Sequence, residues 1–257
     1  MPVTELEHLP HAAADADADT LALVLAHTIL SGQWASGDIF PRELDLCRHF
    51  DASRNRIRNA LATLSSCGLI ERTAGRGTIV RDIADWHLLD PNMSLWLAGL
   101  DTPHPQLVHE VFAFRLAAEP YVSELAALAA TAQDLAKIES AFNGMCETAD
   151  DPEQRNAHID YDIAFHEAIY SAGHNLVWRQ MGLLLRPSIV ALIQRSHHRV
   201  DRLDDSLERH RRVLEAIRMR QPAAAREATE HVLARTAADL ELSGRPTALR
   251  PGPLTPL

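Results

Sequence analysis

Several residue types are scarce in this chain, and each scarcity removes a class of protein from consideration. Cysteine occurs three times, at Cys47, Cys67 and Cys146, an odd number without metal-ligand spacing. A disulfide framework is therefore excluded and a reducing, cytoplasmic setting is expected. Aromatic residues supply only 5% of the 257 positions, so the core must be built from Leu, Ala, Val and Ile, a mixture that favours helices. No apolar run approaches the roughly 18 residues of a membrane span, and Glu, Arg or His interrupts the longest ones. No basic stretch precedes a hydrophobic one near the N-terminus, which argues against secretion. Glycine patterns of a P-loop or a dinucleotide fold are missing, and His166-Glu167 is followed by Tyr170 where a zinc protease needs a second histidine. No adjacent His-Asp pair suits a helical phosphohydrolase. These absences point away from an enzyme.

Charge is present but unevenly placed. The net charge is −10, and Lys137 is the single lysine, so arginine carries the positive side. Eight arginines and four acids lie between Arg42 and Arg81, which makes that stretch +4 and the remainder −14. A small basic head on a larger acidic body is the distribution expected of a nucleic-acid reader joined to another domain.

Local signals divide the chain into five parts. Residues 1–18, rich in Ala, Asp, His and Pro, are expected to be disordered. Residues 19–82 carry three helix signals. The first runs from Thr20 to Ser31 and stops at Gly32, the second starts near Pro41, and the third runs from Arg54 to Cys67 behind Ser53 as N-cap. Two short strands follow, 69–73 and 78–81, joined by a turn through Ala74-Gly75-Arg76-Gly77. Three helices and a hairpin predict a winged helix-turn-helix. Residues 83–104, with Pro91, Pro103, Trp86 and Trp96, are read as a linker with one short helix over 93–100. Residues 105–242 are helical throughout, over 105–130, 133–148, 153–172, 175–198, 202–219 and 222–242. Pro187 should interrupt the fourth of these helices, and 243–257 should be mobile. The fold class is thus mostly α, a winged head followed by an all-helical bundle of six or seven helices.

In the third helix Arg54 and Arg58 share a face by four-residue spacing, opposite the apolar Ile57, Leu61 and Leu64. Arginine's planar fork can grip a phosphate or the edge of guanine. Ser53 and Asn55 stand at the helix N-terminus, where backbone N–H groups also hold phosphate. Gly77 leaves room for the turn to approach a duplex, with Arg76 free to reach a groove. Reading the motifs in order gives Gly37-Asp38, Phe40-Pro41, Glu43, Ala52-Ser53-Arg54, Arg58, Ala60-Leu61, Gly68-Leu69-Ile70, then Gly75, Gly77-Thr78 and Val80. The head with this order, about residues 20–82, resembles the GntR family of bacterial transcription regulators. The resemblance implies that Arg54 and Arg58 contact DNA and that Gly77 sits at the wing tip. Where the second helix of that family often carries an arginine after its Glu, this chain has Leu44, and Arg42 is the candidate substitute.

In the helical part, Asp162 and His166 lie four apart and share a helix face. His210 fills the gap in the stripe Leu203, Leu207, Leu214, Ile217, and His231 sits among Ala224, Ala228, Val232 and Ala238. Three imidazoles and a carboxylate directed at one interior suit Zn2+, with Ni2+ or Mn2+ as alternatives. This part resembles the all-helical FCD ligand-binding domain of the FadR-type branch. The matching residues are Arg115 and Glu119, Asp162, Phe165-His166, Gly173-His174-Asn175, Glu208, His210, Leu214, Ala216-Ile217, Ala225 and His231-Val232. The resemblance implies a divalent metal on Asp162, His166, His210 and His231.

Ser206, one turn before His210, and His197 are further candidates for effector contact. Arg115 lies among Val111, Phe112, Phe114 and Leu116 and needs an anionic partner, either an effector carboxylate or Glu119. The expected protein is a ligand-responsive repressor, a homodimer on a pseudo-palindromic operator with no membrane association. Its effector is expected to be a small organic acid. Trp86-His87-Leu88-Leu89-Asp90-Pro91 and Leu95-Trp96 resemble regulators of sugar-acid catabolism, and a lactate- or pyruvate-type acid is the alternative. A DNA-binding protein whose metal is purely structural is the remaining reading.

Overall fold

The computed structural model describes residues 9–10, 15–73, 77–98, 100, 103–149, 151–182 and 203–239. Among these, residues up to Val108 form one compact unit and those from His109 on form another. In the first unit α1 (Ala18–Leu30) is followed by β1 (Ile39–Phe40), α2 (Glu43–His49) and α3 (Arg54–Ser66). Then come β2 (Ile70–Thr73), β3 (Gly77–Val80) and α4 (Pro91–Ala98). The strands form an antiparallel sheet in the order β1-β3-β2, with Ile70 opposite Val80, Thr73 opposite Gly77 and Phe40 opposite Thr78. The sequence reading lacked β1; two residues are too few to show an alternation, though Phe40 precedes Pro41 and is thereby held extended.

Sequence dictates the helix ends closely. Asp17 and Ser53 accept N-terminal N–H groups of α1 and α3 through their side chains. Both helices end in a glycine of positive φ, Gly32 at 79° and Gly68 at 76°. In each case the last carbonyls are taken up by the two residues beyond the cap, Gly32 and Gln33 for α1, Gly68 and Leu69 for α3. Leu21, Leu25 and Ile29 of α1, Leu46 of α2 and Ile57, Leu61 and Leu64 of α3 are buried together with Phe40, Leu69 and Val80. The head is held by this apolar centre.

Two expectations about its margins need correcting. The stretch expected as a linker is packed against the head: His27 Nε2 donates to the Trp96 carbonyl at 2.8 Å, and His87 N–H donates to Cys67 at 2.9 Å. Trp86, Met93, Trp96 and Leu97 are buried there, which gives these apolar residues a reason to fold back. The described N-terminal residues are also engaged, with Leu9 and Ala16 buried and Arg56 donating to the Ala16 carbonyl at 2.8 Å. The rest of 1–18, the Pro187 region and the tail 243–257 lie outside the described residues.

The second unit holds α5 (Pro105–Ala129), whose first residues belong to the head's unit, then α6 (Ala132–Thr148), α7 (Arg155–Ala172), α8 over 176–182, α9 (Leu203–Arg218) and α10 (Pro222–Asp239). One core joins Val122 and Ala126 of α5, Ile138, Phe142 and Met145 of α6, and Phe165 and Ile169 of α7. Val213 and Ile217 of α9 and Ala225 and Val232 of α10 complete it. Thr229 of α10 hydrogen-bonds Ser123 of α5, and Arg226 of α10 pairs with Glu124 of α5. The α9–α10 turn is closed by Arg220 at φ 56°, whose guanidinium donates to the Ala127 and Ala130 carbonyls at the end of α5. A non-glycine residue holds the left-handed conformation there because its side chain caps a neighbouring helix.

Candidate functional site

The first candidate surface is on the head. Arg54, Asn55 and Arg58 stand exposed on α3 while Ile57 on its other face is fully buried. Ser53 caps the same helix through its hydroxyl, which accepts from Arg56 N–H at 3.4 Å. Arg42 is exposed at the start of α2, and Gly77 opens β3 at φ 91° with no atom near the position a Cβ would take. Arg76 lies outside the described residues. Sequence reasoning missed the part of Glu43: its carboxylate sits 3.4 Å from Arg58 and 3.6 Å from Arg72, joining the exposed helix to the wing strand.

The second site is inside the helical unit. Asp162 and His166 on α7 and His210 on α9 are all buried and close enough to share a cation. Asp162 Oδ1 lies 3.4 Å from His166 Nε2 and 3.4 Å from His210 Nε2. His210 Nδ1 is 2.8 Å from the Ser206 carbonyl, an acceptor only, so this nitrogen carries the proton. The ring thus turns Nε2 toward the Asp162 carboxylate oxygen, and this buried Nε2 has no hydrogen-bond partner. A buried carboxylate oxygen this close to two imidazole nitrogens is stabilised by a proton or a metal cation among them. Metal–ligand bonds of about 2.0–2.2 Å in a tetrahedral arrangement place neighbouring donors about 3.3 Å apart, close to the spacing found. The residues fit a divalent metal.

Glu119 sits behind this group. It accepts from Arg115 Nε at 2.6 Å and Nη2 at 3.3 Å, and lies 3.1 Å from His166 Nδ1. Such a carboxylate fixes which imidazole nitrogen faces the metal position. Burial opposes ionisation of Glu119, but the Arg115 guanidinium, with His166, outweighs it and holds the carboxyl at about 2. Burial also opposes charge on His166, and the Glu119 carboxylate with the Asp162 hydrogen bond overcomes it and lifts the imidazole to about 9. Of the two partners considered for Arg115, Glu119 is the one in place. Arg115 Nη1 and the Tyr170 hydroxyl are buried without hydrogen bonds. A small cavity adjoins the group, lined by His166 and His210 and by Tyr170, Ser123, Thr229 and Val232 among others.

The structure does not bring every expected residue to this cavity. His231 is exposed on α10, whereas Thr229 and Val232 of the same helix are buried and line the cavity. One residue along a helix turns the side chain by about 100°, which takes His231 out of the group. Ser206 contributes its carbonyl to His210 and does not line the cavity. His197 lies outside the described residues. His158 is buried and joins α7 to the end of α6 through Met145 O at 3.0 Å and Thr148 at 3.2 Å.

Comparison with known proteins agrees with this division. Residues 18–80 match the bacterial regulatory proteins of the gntR family, and residues 110–235 match the FCD domain. The galactonate operon transcriptional repressor of Escherichia coli K12 is 31% identical over 217 residues, which cover 84% of this chain and 93% of that one. The regulatory protein named for the L-lactate dehydrogenase operon of the same organism is 29% identical over 214 residues, 81% of this chain and 79% of that one. The solved structure of Lar, described as controlling the Listeria monocytogenes agr system, shares the fold. Its TM-score is 0.53 at 16% identity, over 88% of this chain and 97% of that one. A winged head with exposed α3 arginines, a helical unit of FCD type and these relatives identify the chain as a member of the gntR family, a DNA-binding transcription regulator and not an enzyme.

Proposed function

We propose that this regulator is a repressor released from its operator by a small organic acid, which binds beside a divalent metal in the FCD domain. The observation that carries the reading is the buried cluster of Asp162, His166 and His210, whose ligand atoms lie close enough to share one ion, beside a cavity. Asp162, His166 and His210 would hold the metal, Zn2+ by donor chemistry with Ni2+ or Mn2+ as alternatives. When bound, it supplies a concentrated positive charge for carboxylate and hydroxyl oxygens. The chain's own part is to orient that charge. Glu119 holds His166, the Ser206 carbonyl holds His210, and the buried Nη1 of Arg115 remains a donor for an anion. The head, acting in the cytoplasm as one half of a homodimer, would read a pseudo-palindromic operator through Arg54, Arg58 and Gly77, with Arg42, Ser53, Asn55 and Arg76 as further contacts.

The relation to a galactonate operon repressor favours a sugar acid as effector. A specific observation favours a second reading. The cavity has room for little more than a water, about 10 Å3, and Val122, Ile169, Val213 and Val232 give it an apolar wall. A lactate-type acid, with fewer hydroxyls to satisfy, suits that wall, and a relative is named for a lactate dehydrogenase operon. Thermal melting of the metal-loaded protein against a panel of organic acids, repeated with a chelator, tests both. A rise in Tm with one acid, lost on chelation, is expected; no shift with any acid would remove the sensing role.

A further inference from the structure

The wall of the metal cavity formed by α10 is unlike the other walls. α7 presents Asp162 and His166 and α9 presents His210, each a ligating side chain. The residues of α10 at the cavity are Thr229 and Val232, 4% and 5% exposed. Val232 offers no donor. The Thr229 hydroxyl is engaged, since it donates to the Ala225 carbonyl at 2.9 Å and lies 2.8 Å from Ser123 Oγ, whose own hydroxyl can donate to it. His231, the one imidazole of this helix, is exposed. Bringing it inward would need a rotation of α10 by about 100°. That rotation would expose Val232 and Leu233, which are buried, and break the Thr229–Ser123 contact between α10 and α5.

We propose that this chain holds its metal with three protein side chains, Asp162, His166 and His210, and that α10 contributes none. The inference rests on the metal reading above and deepens it. Two imidazoles and one carboxylate are the donor set that leaves several coordination positions open on a six-coordinate ion. Neither Val232 nor the engaged Thr229 at the α10 wall would supply a further ligand, so the open positions would fall to water or to oxygens of an incoming acid. The metal is consequently held less tightly than by four protein ligands, and a bound acid replaces the donor that α10 withholds.

Competition of the full-length, tag-free protein with a chromophoric chelator for Zn2+ tests this, together with X-ray absorption at the zinc edge. His231 is exposed, so His231→Ala folds as the wild type does. Its Zn2+ affinity should stay within about twofold, whereas His210→Ala should lose about tenfold or more. The absorption spectrum should fit two imidazoles per zinc in both the wild type and His231→Ala. A loss in His231→Ala comparable with that in His210→Ala, or three imidazoles in the wild type, would overturn the three-ligand assignment while leaving a metal site in place. A wild-type protein that binds no Zn2+, Ni2+ or Mn2+ would instead remove the metal reading as a whole.

Discussion

Gly68 is a position where a single atom decides the outcome. Its φ of 76° lies in the left-handed region, and a Cβ there would overlap the Asp85 carbonyl oxygen. The left-handed conformation alone costs a side chain about 1–2 kcal/mol. Gly68→Ala should therefore lower the unfolding free energy by about 2 kcal/mol or more in a denaturant titration; no change would mean that 83–85 can move away from the end of α3. Arg115 and Glu119 make the complementary case, since each is buried and each depends on the other's charge. The i, i+4 spacing made their pairing legible in the sequence. The tie from Glu119 to His166 was not legible, because it spans two helices and depends on how α5 and α7 meet.

The helices themselves were largely readable, and their caps were the reason. At the start of α6, Thr131 and Asp134 form a reciprocal capping box, and Asp134 Oδ2 also lies 2.8 Å from His174 Nε2 after α7. Asp134→Asn should cost about 1 kcal/mol. The Thr131 hydroxyl, above all, holds the Asp134 carboxyl below its ordinary 3.8. A lowered acid stabilises the fold fully above its unfolded value and loses that contribution as pH falls through the folded one. The gap between wild type and Asp134→Asn should hold steady from about pH 8 to 5 and close below about pH 4, as unfolding at several pH values would report. The element that sequence misjudged was α10. Its alanines, 223–225, 228, 234, 237 and 238, are spread around the helix, so neighbouring rows are similarly apolar and periodicity has no clear stripe to find. His231 and Val232 were interchangeable on that evidence. Packing against Ser123 of α5, through Thr229, is what chose between them.

At the scale of the whole molecule, DNA reading and the proposed sensing fall to different units, and mutations should separate them. His210→Ala should leave operator affinity unchanged while abolishing its response to acid and metal, measured by fluorescence anisotropy on labelled operator. Arg58→Ala should do the reverse. It should lower operator affinity by about 1–3 kcal/mol at fixed salt with the acid-dependent rise in Tm intact; unchanged binding would take α3 out of the recognition role. The two-part plan was visible from charge alone, because residues 42–81 carry +4 and the remainder of the chain −14.

The Glu43 carboxylate between Arg58 and Arg72 gives the head a built-in rival for the phosphates it meets. Any duplex must displace an anion already seated before it gains either guanidinium, and a sequence that rewards both forks clears that threshold more readily than an arbitrary one. Neutralising the rival should thus loosen discrimination. Glu43→Gln is expected to bind unrelated DNA more tightly while gaining little on the operator, and an equal gain on both would assign Glu43 to general repulsion alone.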